Sequence, residues 1–93
     1  MKDKITLQKL EKYSRITIRA LKIAKKSVKK GKTKQAKEII DMASNYLSDA
    51  KYFEENKDFV NAFAALNYAH GWLDSGVRLD IFEVKDDKLF TVK

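Results

Sequence analysis

Ninety-three residues fit one domain able to bury roughly 60–70% of its unfolded surface, and a composition 44% hydrophobic and 35% charged is globular rather than disordered. The absence of Cys excludes disulfides, thiolate metal sites and a thiol nucleophile. The formal charge of +7 hides a split: residues 1–37 carry 14 Lys and Arg against two acids (+12), and residues 38–93 carry six against 11 (−5). Such a division points to a polyanion partner or to an internal charge match.

No apolar run approaches the ~20 residues of a membrane span. Met1-Lys2-Asp3-Lys4-Ile5 is too charged for a signal peptide. The expectation is a cytoplasmic protein with no membrane partner.

The first predicted helix runs over about 7–30, with Thr6 as N-cap. Leu10, Tyr13, Ile16, Thr17, Ala20, Leu21, Ile23, Ala24 and Val28 share one arc at 100° per residue, and Lys12, Arg15, Arg19, Lys22, Lys26 and Lys29 lie opposite. The pattern is an apolar stripe backed by a basic one. Gly31 is suited to a left-handed turn.

The second helix is predicted over 33–55. It should bury Ala36, Ile39, Ile40, Ala43, Tyr46, Leu47, Ala50 and Phe53, and stop at Asn56. Asp58 is a good N-cap for a third helix over 59–79, whose inner arc holds Phe59, Ala62, Ala65, Leu66, Ala69, Leu73 and Gly76, with Tyr68 and Trp72 at one margin. Gly71 inside this helix costs about 1 kcal/mol relative to Ala, which suggests a packing reason.

The tail, 80–93, reads as two short extended runs around Lys85-Asp86-Asp87-Lys88. Ile81, Phe82, Val84, Leu89, Phe90 and Val92 are too apolar for a solvated end. The tail should dock near the end of the third helix or pair with that of a second copy. The fold expectation is therefore all-α: an antiparallel, up-and-down three-helix bundle with a short extended or hairpin-like C-terminal tail.

Three groupings of residues bear on function. The basic stripe Lys12, Arg15, Arg19, Lys22, Lys26 and Lys29 would extend ~35 Å along a helix of ~24 residues and suits sequence-independent phosphate contact. It is mostly Lys and has no stacking platform. On the third helix, Asn67, His70, Asp74 and Arg78 share one side next to Phe63. A His, a carboxylate and an Arg are acid–base groups, but no hydroxyl or thiol has an evident base, there is no Gly-rich phosphate loop, and no second His is present for a metal. This side is read as a polar, aromatic-flanked patch for a protein partner, with Tyr52 as a further exposed aromatic. Tyr46, Tyr68 and Trp72 are assigned to core rather than to a ligand pocket. No cofactor, metal or catalytic residue is expected.

The run Ala65-Leu66-Asn67-Tyr68-Ala69-His70-Gly71-Trp72-Leu73-Asp74-Ser75-Gly76-Val77-Arg78-Leu79, followed by Ile81-Phe82, resembles the signature of a small archaeal family known only as domain of unknown function 357. The likeness extends through Tyr46-Leu47-Ser48-Asp49-Ala50-Lys51-Tyr52-Phe53 and the tail Leu89-Phe90-Thr91-Val92. It implies an archaeal source and a three-helix up-and-down bundle, and it implies no activity. The leading functional expectation is a non-catalytic protein-interaction or scaffolding domain, with itself as one candidate partner in a homodimer. The alternative is RNA or DNA binding through the basic face of the first helix.

Overall fold

The computed structural model describes residues 5–85 and 89–90. Three helices follow in order: α1 (Leu7–Lys25), α2 (Thr33–Glu55) and α3 (Phe59–Arg78). They form an all-α bundle, 42 × 23 × 17 Å in extent. The closest pair is the α2–α3 hairpin, and α1 lies more against α3 than against α2.

The starts of α1 and α3 follow from the residues before them. The Thr6 side chain accepts from the Lys9 N–H at 3.1 Å, and Asp58 accepts from the Asn61 N–H at 3.2 Å. Each satisfies a first-turn donor that has no partner within the helix. Asn56 ends α2, its side-chain amide donating to the Tyr52 carbonyl at 2.8 Å. The left-handed residue of that turn is Lys57 (φ 60), and Asp80 (φ 61) plays the same part after α3. Gly31 (φ 85) turns the chain into α2, as its freedom at positive φ allows.

The helix interfaces are built from small residues. Ala20, Ala24, Ala36, Ala43, Ala50, Ala62, Ala65 and Ala69 are all buried, so the backbones approach closely but supply little volume. Leu10, Ala50, Ala62, Ala65 and Leu66 pack at the α2–α3 turn end. At the other end, Leu21, Ile39, Leu73 and Val77 are joined by Ile81, Phe82 and Phe90 from the tail. Phe82, 1% exposed, is among the largest fully buried side chains. The tail thus fills space that alanine-rich helices leave open, which is the first of the two outcomes expected for it.

That docking shortens α1. The helix ends at Lys25 instead of near Lys30. Residues 27–29 instead lie extended against the tail, with Val28 opposite Phe82 in an antiparallel bridge. The Lys29 N–H donates to the Ile81 carbonyl (2.9 Å) and the Glu83 N–H to the Ser27 carbonyl (2.8 Å). The Ser27 hydroxyl donates to the Ile23 carbonyl at 2.7 Å, satisfying an acceptor in the last turn. Residues 81–83 thus pair with this connection. The expected turn at Asp86, Asp87 and Lys88, and the residues Thr91 and Val92, lie outside the described residues.

Gly76 is the glycine with a packing role. A Cβ there would press into the Phe82 ring and lie 3.1 Å from Ile39 Cδ1. At Gly71, where a packing reason was expected, a Cβ would meet nothing within 4 Å.

Candidate functional site

The polar patch expected on α3 runs along its seam with α1, and the chain itself occupies part of it. His70 is half-buried. Its Nε2 lies 2.6 Å from the Leu89 carbonyl oxygen, and its Nδ1 lies 3.2 Å from the Thr17 hydroxyl. A carbonyl only accepts, so Nε2 carries a proton and donates to Leu89, and in the neutral ring Nδ1 accepts from Thr17. Thr17 is buried, and the His70 ring lies 6.4 Å from that of Phe90. One imidazole therefore links α1, α3 and the tail. Asp74 approaches Nε2 at 4.0 Å, further than the Leu89 carbonyl.

Phe63 is turned toward α1 as well, its ring edge-on to Tyr13 at 5.3 Å beneath the Lys9 ammonium at 5.4 Å. Asn67 and Arg78 are exposed, and Asp74 is half-buried. A shallow cleft of about 350 Å3 between the two helices is lined by Tyr13, Ile16, Thr17, Asn67, His70 and Asp74, among others. Tyr52 belongs to α2, is exposed, and has Phe53 as its ring neighbour at 5.7 Å.

The basic stripe is divided by the early end of α1. Lys12, Arg15, Arg19 and Lys22 stand on the helix and are exposed. Lys26 is the C-cap. Lys29 lies in the extended connection, outside the helical register, which corrects the expectation of six cations in one helical row. None of the six is paired with a described carboxylate.

The face that pattern reasoning missed is the outer side of α3. Val60 (63%), Tyr68 (61%), Trp72 (38%) and Leu79 (67%) are exposed, as are Ala64, Gly71 and Ser75 between them. Tyr68 touches Tyr46 on α2 only along one side, with centroids 5.4 Å apart, so the expectation that Tyr68 and Trp72 are core is corrected. At 100° per residue these positions fill one arc opposite Ala62, Ala65, Leu66, Ala69, Leu73 and Gly76. Hence α3 is apolar or small on both sides, a pattern otherwise found in helices covered all round. The signal was present in the chain. Residues 59–73 contain no Asp, Glu, Lys or Arg in a sequence where 35% of residues are charged.

No group of described residues could hold a metal ion, and no helix among the described residues is long and apolar enough to cross a membrane. The family model described as "Protein of unknown function (DUF357)" matches residues 12–82. No curated protein matches the chain, nor does any solved structure.

Proposed function

The chain belongs to the DUF357 family, and on this premise, which carries no activity with it, we propose that it is a non-catalytic protein-interaction domain that docks through the outer face of α3. The observation that carries this reading is the uncharged, exposed row Val60, Ala64, Tyr68, Trp72, Ser75 and Leu79. Contiguous apolar surface of this kind, with two aromatics near its centre, marks contact sites. Asn67 and Arg78 border the row and form its polar rim, whereas Phe63 and His70 serve the contacts between α1, α3 and the tail. Both ring nitrogens of His70 are engaged inside the chain, which supports a structural role for this imidazole.

The test is a photo-reactive amino acid at Tyr68, compared with the same group at Arg19, in cells that express the chain. Discrete protein adducts from position 68 and none from position 19 are expected. No adduct from position 68 at native expression overturns the reading.

A second reading has its own support. Lys12, Arg15, Arg19 and Lys22 are exposed and not paired with any carboxylate among the described residues along ~15 Å of helix. Four such cations suit sequence-independent contact with a nucleic-acid backbone. On duplex DNA, log K would then fall with log salt at a slope of about −3 to −4. Titration of labelled RNA and DNA at two salt concentrations tests it, and no binding at low salt removes it.

A further inference from the structure

We propose that the occupant of the outer α3 face is a second copy of this chain, seated antiparallel about a two-fold axis that crosses α3 between residues 69 and 70. The proposal rests on the interaction-domain reading above and names its partner.

The row is nearly palindromic. From either end it presents a large aliphatic residue (Val60 or Leu79), a small one (Ala64 or Ser75) and an aromatic (Tyr68 or Trp72). The two outer pairs are centred between residues 69 and 70, and the aromatic pair on residue 70, half a residue away. An antiparallel copy therefore sets Val60 against the partner's Leu79, Ala64 against the partner's Ser75 and Tyr68 over the partner's Gly71, beside the partner's Trp72. An isologous contact requires such self-complementarity, while a face built for an unrelated protein has no reason to carry it.

Gly71 supplies a second observation. It sits in mid-helix, at a cost of about 1 kcal/mol relative to Ala, and, its own helical backbone aside, no atom of the described residues lies within 4 Å of where a Cβ would stand. Packing among the described residues does not account for it. Next to the two-fold axis, the missing side chain makes room for the partner's Tyr68.

Charge points the same way. Copies of net charge +7 repel in general, and α1, in the +12 segment, is the worst surface for self-association. The outer face of α3 brings no like charges together over residues 59–73. Arg78, at the rim, stands opposite the partner's uncharged Asn61 in this register. The four large side chains expose on the order of 400 Å2 per copy, given about 150–250 Å2 for each. With the small residues between them, the contact reaches roughly 1,000 Å2 over both copies, the lower end for a specific interface.

Sedimentation equilibrium of the full chain from about 1 to 500 µM is the test, with a dimer constant of about 1–100 µM expected. The mass should rise from 10.8 kDa toward twice that value. Ser75→Lys, at an exposed position, places two ammonium groups against the apolar contact and should weaken the dimer at least about tenfold. Its helical circular dichroism should match wild type. The double variant Ala64→Glu/Ser75→Lys should recover most of the loss, because each glutamate meets the partner's lysine only in the antiparallel register. Within one chain the two positions are ~16 Å apart along the helix. A monomer at every concentration overturns the proposal, as does a dimer indifferent to Ser75→Lys or one not restored by Ala64→Glu. A monomer that still gives adducts with other proteins from position 68 would leave the interaction-domain reading standing, so the two fail separately.

Discussion

Phe82 and Gly76 offer the sharpest check on how the tail holds the bundle. Phe82 is 1% exposed, its ring rests on the bare Cα of Gly76, and its backbone bridges Val28. Truncating a buried Phe to Ala costs about 3–5 kcal/mol, out of the 5–15 kcal/mol typical of a whole domain. At about 4–8 °C per kcal/mol for a chain of this size, Phe82→Ala should lower Tm by roughly 12–40 °C. Gly76→Ala alone forces a methyl into the ring and should cost about 1–3 kcal/mol by overpacking. In the Phe82→Ala background that methyl enters vacated space. The same Gly76→Ala change should then become neutral or stabilising by up to about 1 kcal/mol, since Ala is the better helix former. The two changes are therefore coupled by about 1–4 kcal/mol, well beyond ordinary additivity error. Urea unfolding of wild type, both single variants and the double variant, followed by circular dichroism, measures the cycle. An equal cost for Gly76→Ala in both backgrounds would refute the contact as the reason for this glycine. A Phe82→Ala loss below about 1 kcal/mol would refute the tail as part of the core.

Three further outcomes are expected. His70→Ala removes the imidazole's contacts with the buried Thr17 hydroxyl and the Leu89 carbonyl; it should destabilise by about 1–3 kcal/mol and speed proteolysis near Leu89, both read against wild type by thermal melting and limited digestion. Truncation after Leu79 removes Ile81, Phe82 and Phe90, each worth about 1.5–3 kcal/mol when buried. The loss rivals the whole stability of a domain this size, so the truncated chain should keep far-ultraviolet helical signal at most, with its near-ultraviolet tyrosine and tryptophan spectrum collapsed. Lys57→Gly relieves a non-glycine residue held at φ 60 and should raise stability by about 1 kcal/mol in the same melts.

Part of the site was legible from the chain. The basic row and the exposure of Asn67 and Arg78 follow from helical spacing, which is local. The engagement of His70 was not legible, because its partners Thr17 and Leu89 lie 53 and 19 residues away. The outer face of α3 left a compositional trace in the uncharged stretch 59–73, yet a helical wheel assigns Tyr68 and Trp72 to a margin without saying whether a neighbour covers them.

By itself the sequence determined three helices and where two of them begin, because caps such as Thr6 and Asp58 act on donors three residues away and amphipathic period is set by each helix alone. Their buried arcs follow for the same reason. Only the tertiary structure decided where α1 ends: its apolar period continues through Val28, so every local signal favours helix there. Two hydrogen bonds to Ile81 and Glu83, together with burial of Phe82 on the opposite side of the bridge, outweigh one more helical turn. It also decided what each glycine meets: helical period sets Gly76 on the inner arc and Gly71 off it, but names no neighbour for either. The aromatic ring from the tail stands against Gly76 only once the tail has folded back.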